Sequence, residues 1–156
     1  MTVHSVSHVA VGVRDMDRSL TFYRDLIGLD VRFDDFEEFA GVEGHPGVRR
    51  RGVYLRWSDD PHAPFIVLDQ QLSRDGGVLE GEPKELYEPG IHHFGFWVDD
   101  VHGIAERARA AGVPIVYGPA DTDTSTYGEP AGGIIRLLML NDPDGNIVQL
   151  DERVTS

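Results

Sequence analysis

The chain has 156 residues, 40% hydrophobic and 26% charged, with a formal charge of −13 and no cysteine. That is one domain's worth of chain, or two small modules sharing a core, and it is too apolar for disorder. The acidic balance argues against nucleic acid as a partner. Lack of cysteine excludes disulfides, thiolate ligands and thiol nucleophiles.

No run approaches the roughly 18 apolar residues needed to span a bilayer, so no membrane partner is expected. "MTVHSVSHVAV" also lacks the basic n-region and cleavage site of a signal peptide. A cytoplasmic location is the default expectation.

In chain order, "SVSHVAVGV" at 5–13 reads as a strand opening on a histidine. Met16, Leu20, Tyr23 and Leu26 or Ile27 follow at helical spacing, with Asp15 or Asp17 to cap the start and Gly28 to end it. "LDVRF" is a second strand. Residues 34–51, polar and rich in Gly, read as an insertion, and "VRRR" at 48–51 as a solvated loop. "RGVYLRWS" and "FIVLDQ" are two further strands joined by the turn "DDPHAP".

The second half repeats this order. "GIHHFGFWV" at 90–98 matches the first strand and places His93 opposite His8, 85 residues away. Val101, Ile104 or Ala105, Ala108 and Ala111 repeat the apolar stripe, and Gly112 ends it. "VPIVY", "GIIRLLML" and "IVQLDE" are the three later strands, the last two joined by the turn "NDPDGN". Each half is thus strand, helix, strand, strand, strand. One such sheet leaves a face uncovered, which pairing two of them would bury around a shared cleft. The expected organisation is a single domain over 1–156, with module one at 4–72, module two at 90–152 and a linker at 73–89.

"HVAVGVRDMDRSLTFYRDLIGLDV", "HHFGFWVDDV" and "NDPDGNIVQL" together resemble the vicinal oxygen chelate superfamily. Its members include glyoxalase I, extradiol dioxygenases, methylmalonyl-CoA epimerase and the bleomycin resistance proteins. The resemblance implies an α+β fold of two paired βαβββ modules forming an open, mostly antiparallel, barrel-like cleft. It also implies a divalent metal ion, Fe(II) favoured and Mn(II), Ni(II) or Zn(II) as alternatives, held by His8, His93 and Gln149. Where the family usually has Glu, this chain has Gln149, and the fourth ligand place falls on Val67. A homodimer acting on a small-molecule substrate or ligand is implied in the same way.

Two histidines with open metal positions suit extradiol-dioxygenase-like chemistry. Glyoxalase- or epimerase-like chemistry is an alternative. So is metal-free sequestration of a ligand, for which Gln149 and Val67 both argue. His62 and Tyr127 are the candidate catalytic residues, the first as an acid–base histidine before the last strand of module one. His62 also reads as an exposed loop residue and Tyr127 as ordinary loop packing. Strand alternation sends His92 to the face opposite His93, and Asp151 reads as a solvated strand end. Trp57, Phe94 and Phe96 read as core, whereas Trp97 shares the face of His93.

Overall fold

The computed structural model describes residues 5–40, 47–60, 62–72, 82–83 and 89–154. The chain divides into two compact units, Met1–Gly81 and Glu82–Ser156. Most of the expected linker lies outside the described residues.

In the first unit, β1 (His8–Gly12) leads into α1 (Met16–Leu20), which continues as a π-type helix over Thr21–Ile27. Asp15 caps the start by accepting from the Arg18 backbone N–H at 3.1 Å. Gly28 ends the helix at φ 96°, a left-handed conformation that glycine adopts without a Cβ penalty. Strands β2 (Asp30–Phe39), β3 (Val48–Arg56) and β4 (Phe65–Leu72) complete a sheet of order β1-β4-β3-β2. The β1–β4 pair is parallel and the other two are antiparallel.

The second unit has the same plan: β5 (His93–Trp97), α2 (Val101–Ala110), β6 (Ile115–Asp123), β7 (Ile134–Asn141) and β8 (Ile147–Val154). Its sheet order is β5-β8-β7-β6, again with the first pair parallel. The α+β class and the two βαβββ units are therefore as the sequence led one to expect, and neither sheet is closed into a barrel. No helix of the described residues is long and apolar enough to cross a membrane.

Each helix covers one sheet face. In the first unit Met16, Leu20 and Tyr23 are buried with Val11, Val53, Leu55, Ile66 and Leu68. In the second, Val101, Ile104, Ala105 and Ala108 are buried with Leu138, Leu140, Val148 and Leu150. The expected stripe stops one turn early, because Ala111 is the exposed C-cap. Asp100 caps this helix through the Gly103 N–H, and Glu152 accepts from the Val101 N–H at 2.9 Å, pinning the helix start to β8. Alternation then turns His8, Ala10 and Gly12, and likewise His93, Gly95 and Trp97, to the helix-free face of their sheets.

The expected insertion at 34–51 is mostly strand. Across the β2–β3 ladder Glu38 faces Arg49 and Glu37 faces Arg50, while the Arg51 guanidinium grips both Asp34 and Asp17 at 2.8 Å. Opposite charges paired across strands stabilise a segment whose polarity had suggested a loop. "VRRR" is therefore strand and not a solvated loop. Residues 41–46 lie outside the description.

Candidate functional site

The two sheets match residue by residue on their helix-free faces. Ala10 pairs with Val67 in the first, and Gly95 with Gln149 in the second. Val67 is therefore the counterpart of Gln149, Asp69 of Asp151 and Phe65 of Ile147. His8 and His93 hold equal positions, each the first residue of its strand.

On the second sheet the polar centre is Asp151. It is 7% exposed, and its Oδ1 accepts from the Tyr127 hydroxyl at 2.7 Å and from the Gln149 amide at 2.9 Å. Gln149 Nε2 also donates to Tyr127 Oη at 2.9 Å, so the three side chains close a ring of hydrogen bonds. A carboxylate acts only as an acceptor, which fixes Nε2 toward Asp151 and leaves Oε1 as the amide's outward atom. Tyr127 reaches this place from a 3-10 turn, Thr124–Tyr127, anchored by Asp123, which accepts from the Ser125 and Gly132 backbone N–H groups. Burial, then the bond to Asp151, raises the Tyr127 hydroxyl above its ordinary value. Tyr127 is thus held protonated, a donor and not a base.

Asp151 is accordingly no solvated strand end. The sequence read it so because it lies near the C-terminus of β8, but the turn carrying Tyr127 folds over it. Gly95, paired with Gln149, lies against this cluster: an added Cβ would be in ordinary contact, 3.4 Å from Asp151 Oδ2 and 3.6 Å from Gln149 Cβ. Trp97, 55% exposed, stands 5.9 Å from the Tyr127 ring, with the Arg153 guanidinium stacked 4.6 Å from its centre and tied to Glu129.

His92 lies immediately before β5, outside the strand to which the alternation applies. Its ring lies against that of His93, with the two Nδ1 atoms 2.7 Å apart. Burial, then the charge of His92, lowers the pKa of His93 against an opposing pull from Asp151. Both effects favour the neutral imidazole of His93. When its Nδ1 carries the proton in this contact, Nε2 presents a lone pair. His8 has the same arrangement by different means: its Nδ1 lies 3.0 Å from Ser7 Oγ, and its ring stacks on Phe65.

In both histidines and in Gln149, then, one end of the side chain is tied by a neighbour. Tying the far nitrogen of an imidazole is what orients a metal-binding histidine. In its own unit each of these side chains is of a type that can ligate a divalent ion, an imidazole nitrogen for His8 and His93 and a neutral amide oxygen for Gln149. Among the described residues no group of three or more His, Cys, Asp or Glu stands ready to hold one. Val67 is buried and apolar. His62 is exposed in the turn before β4, its backbone N–H donating to Asp60 Oδ1 at 2.9 Å. Trp57 is 46% exposed beyond the end of β3 and is not part of the core.

On the first sheet the counterpart of Asp151 has a different partner. Asp69 Oδ2 accepts from Arg50 at 2.6 Å, and Arg50 also pairs with Glu37. His8, Phe65, Tyr54 and Arg56 lie beside this network on the same face. Neither cluster was foreseen, although the alternation of Arg50, Tyr54 and Arg56 along β3 is a usable signal.

Residues 5–150 match the Glyoxalase/Bleomycin resistance protein/Dioxygenase superfamily. A probable lactoylglutathione lyase of Vibrio cholerae is 24% identical, over 96% of this chain and 91% of its own length. An ethylmalonyl-CoA/methylmalonyl-CoA epimerase of Cereibacter sphaeroides is also 24% identical, over 94% of this chain and 96% of its own. Among solved structures, a glyoxalase family protein from Bacillus cereus superposes with a TM-score of 0.72 at 16% identity, covering 99% of this chain and 97% of that one. The matched family, the repeated βαβββ plan and the paired histidines lead to one assignment: the chain belongs to the Glyoxalase/Bleomycin resistance protein/Dioxygenase superfamily.

Proposed function

We propose that the protein is a metal-dependent lyase or isomerase acting on a small oxygenated substrate, with His8, His93 and Gln149 as metal ligands. The observation that carries this reading is the tied-back geometry of all three side chains: Ser7 on His8, His92 on His93, Asp151 and Tyr127 on Gln149. The relatives named as a lyase and an epimerase favour this chemistry over the dioxygenase chemistry expected from the sequence. With no oxygen to activate, the reason to favour Fe(II) lapses, and Zn(II) or Ni(II) suits two imidazoles equally. A bound divalent ion would supply Lewis acidity to two neighbouring substrate oxygens. Asp151 and Tyr127 hold Gln149 in place, and Tyr127 is a positioning residue in this reading. His62 stays the candidate for moving a proton. Operation of the two units as one domain, in a cytoplasmic homodimer, belongs to the same proposal.

The test is elemental analysis of protein purified without chelator, for the wild type, His8→Ala and His93→Ala. Near-stoichiometric divalent metal in the wild type, lost in both variants, is the expected result. A wild type that takes up no Zn(II), Ni(II), Mn(II) or Fe(II) would overturn it. Metal-free ligand sequestration would then be the better reading, favoured by the absence of a carboxylate at position 149 and by Val67.

A further inference from the structure

The helix-free face of the first sheet carries a stack that its counterpart lacks. Phe65 of β4 is at the centre. The His8 ring lies 5.3 Å from it at an interplanar angle of 24°, and Tyr54 lies 5.9 Å from it. The Arg56 guanidinium carbon sits 4.2 Å from the Phe65 ring centre. Phe33, 37% exposed, leans on Tyr54 at 4.9 Å. Strand register brings these together: His8 pairs with Phe65 and Phe33 with Tyr54, while Arg56 is two residues beyond Tyr54 on the same face.

In the second sheet the same positions hold Ile147 for Phe65, Met139 for Tyr54 and Asn141 for Arg56. The fold therefore does not require aromatic rings or a cation there. The repeat supplies its own control.

Arg56 is also unusual among the described sheet arginines. Arg32, Arg49, Arg50, Arg51, Arg136 and Arg153 each lie within ion-pairing distance of a carboxylate. Half-buried Arg56 has no carboxylate partner among the described residues, in a chain of net charge −13. Besides lying over the Phe65 ring, it donates a long hydrogen bond from Nη1 to the Ala63 carbonyl, 3.4 Å. A guanidinium has five N–H donors in a planar fork that matches a carboxylate.

We propose that this stack is a binding site for a carboxylate attached to a planar apolar body. The carboxylate accepts two hydrogen bonds from Arg56, and the body lies on Tyr54 and Phe33. The proposal rests on the proposed function only in taking this ligand to be the substrate. It then makes the substrate class a small oxygenated carboxylic acid held beside His8.

The experiment uses the full chain and two probes of nearly equal shape, 2-naphthoate and the neutral 2-naphthamide, measured by titration calorimetry. Wild type should bind naphthoate at least about tenfold more tightly than naphthamide, the scale of a charge-assisted hydrogen bond. Arg56→Gln should remove that preference, bringing the affinities for the two probes together, and a far-ultraviolet dichroism spectrum matching wild type shows that the variant is folded. Arg56→Lys should recover part of the preference, since it keeps the charge without the fork. Equal affinity of wild type for the two probes, no naphthoate binding at millimolar concentration, or a preference that survives in Arg56→Gln would each overturn the proposal. Metal content measured in parallel separates the two readings. A metal-free wild type that still prefers naphthoate keeps this site and discards the metal enzyme, whereas a metal-loaded wild type without the preference does the reverse.

Discussion

Gln149 donates its side-chain amide to Asp151, two residues further along β8, at 2.9 Å. The matching pair in the first unit is Val67 and Asp69. There the carboxylate is held by Arg50, and among the described residues its buried Oδ1 has no hydrogen-bond donor. One repeated strand position thus carries an acid that orients an amide in one copy and an acid that anchors a guanidinium in the other.

The Tyr127–Asp151 bond has a pH signature. Tyr127→Phe removes a hydrogen bond to a buried carboxylate and should cost about 1.5–3 kcal/mol at neutral pH. The native hydroxyl has a pKa raised above the ordinary 10.0. Native protein therefore binds more protons than the unfolded chain above that value, and this contribution to stability is lost as pH rises through and beyond it. The gap between wild type and Tyr127→Phe should narrow between about pH 8 and about pH 11. Urea midpoints at the two values measure it, and a gap that stays constant would contradict the assignment.

Much of this arrangement was legible in the sequence, but unevenly. The repeat, the strand order and the match of His8 to His93 follow from alternation and helical spacing, which report which face of an element is buried. What escaped was cross-strand chemistry. Asp151 looked solvated because no local pattern shows that Tyr127, 24 residues earlier, folds back onto it. Residues 34–39 looked like a loop because Asp and Glu disfavour strands, and only the register with Arg49, Arg50 and Arg51 offsets that preference. The contact of His92 with His93 was not legible either, because His92 lies just outside β5, where strand alternation no longer says which way a side chain turns.

The Arg50 network should be a stability determinant of the first unit. Arg50→Gln leaves Glu37 and Asp69, both mostly buried, without the cation between them. Breaking a buried pair from one side costs about 3–5 kcal/mol, and the partial exposure here reduces the expectation to about 2–3 kcal/mol. Arg49→Gln is the control, since its contact with Glu38 is 3.9 Å long and exposed, and it should show no measurable loss. Urea denaturation of both variants decides; equal losses would mean that burial is not the distinguishing factor.

Gly95 tests how much space the second cluster needs. A methyl group there makes only ordinary contacts with Asp151 and Gln149, and Ala10 already occupies the matching place in the first sheet. Gly95→Ala should therefore be at least as stable as wild type, by up to about 1 kcal/mol, through reduced freedom of the unfolded chain. Gly95→Leu would drive a branched side chain into the ring of hydrogen bonds and should destabilise by about 1–3 kcal/mol. Thermal unfolding with near-ultraviolet dichroism of Trp97 and Tyr127 reads both effects. If Gly95→Leu left the tyrosine and tryptophan signals unchanged, the packing described around Asp151 would be wrong.

Gln149→Glu separates two roles of one position. In the metal-free protein the change replaces a donor to Asp151 by a second carboxylate at hydrogen-bonding distance. Like charges so close resist joint ionisation. The variant should consequently be less stable than wild type by about 1–3 kcal/mol when stripped of metal. If His8 and His93 are ligands, the new carboxylate adds negative charge to a neutral donor set. Affinity for Zn(II) should then rise at least about tenfold, or about 1.4 kcal/mol, and saturating metal should restore the lost stability. His93→Ala in the same background should abolish the affinity gain but leave the metal-free destabilisation in place. Titration calorimetry and urea denaturation, each with and without Zn(II), give the four quantities. A variant destabilised without metal and unrescued by it would keep the Gln149–Asp151 bond as a structural fact and remove Gln149 from the ligand set.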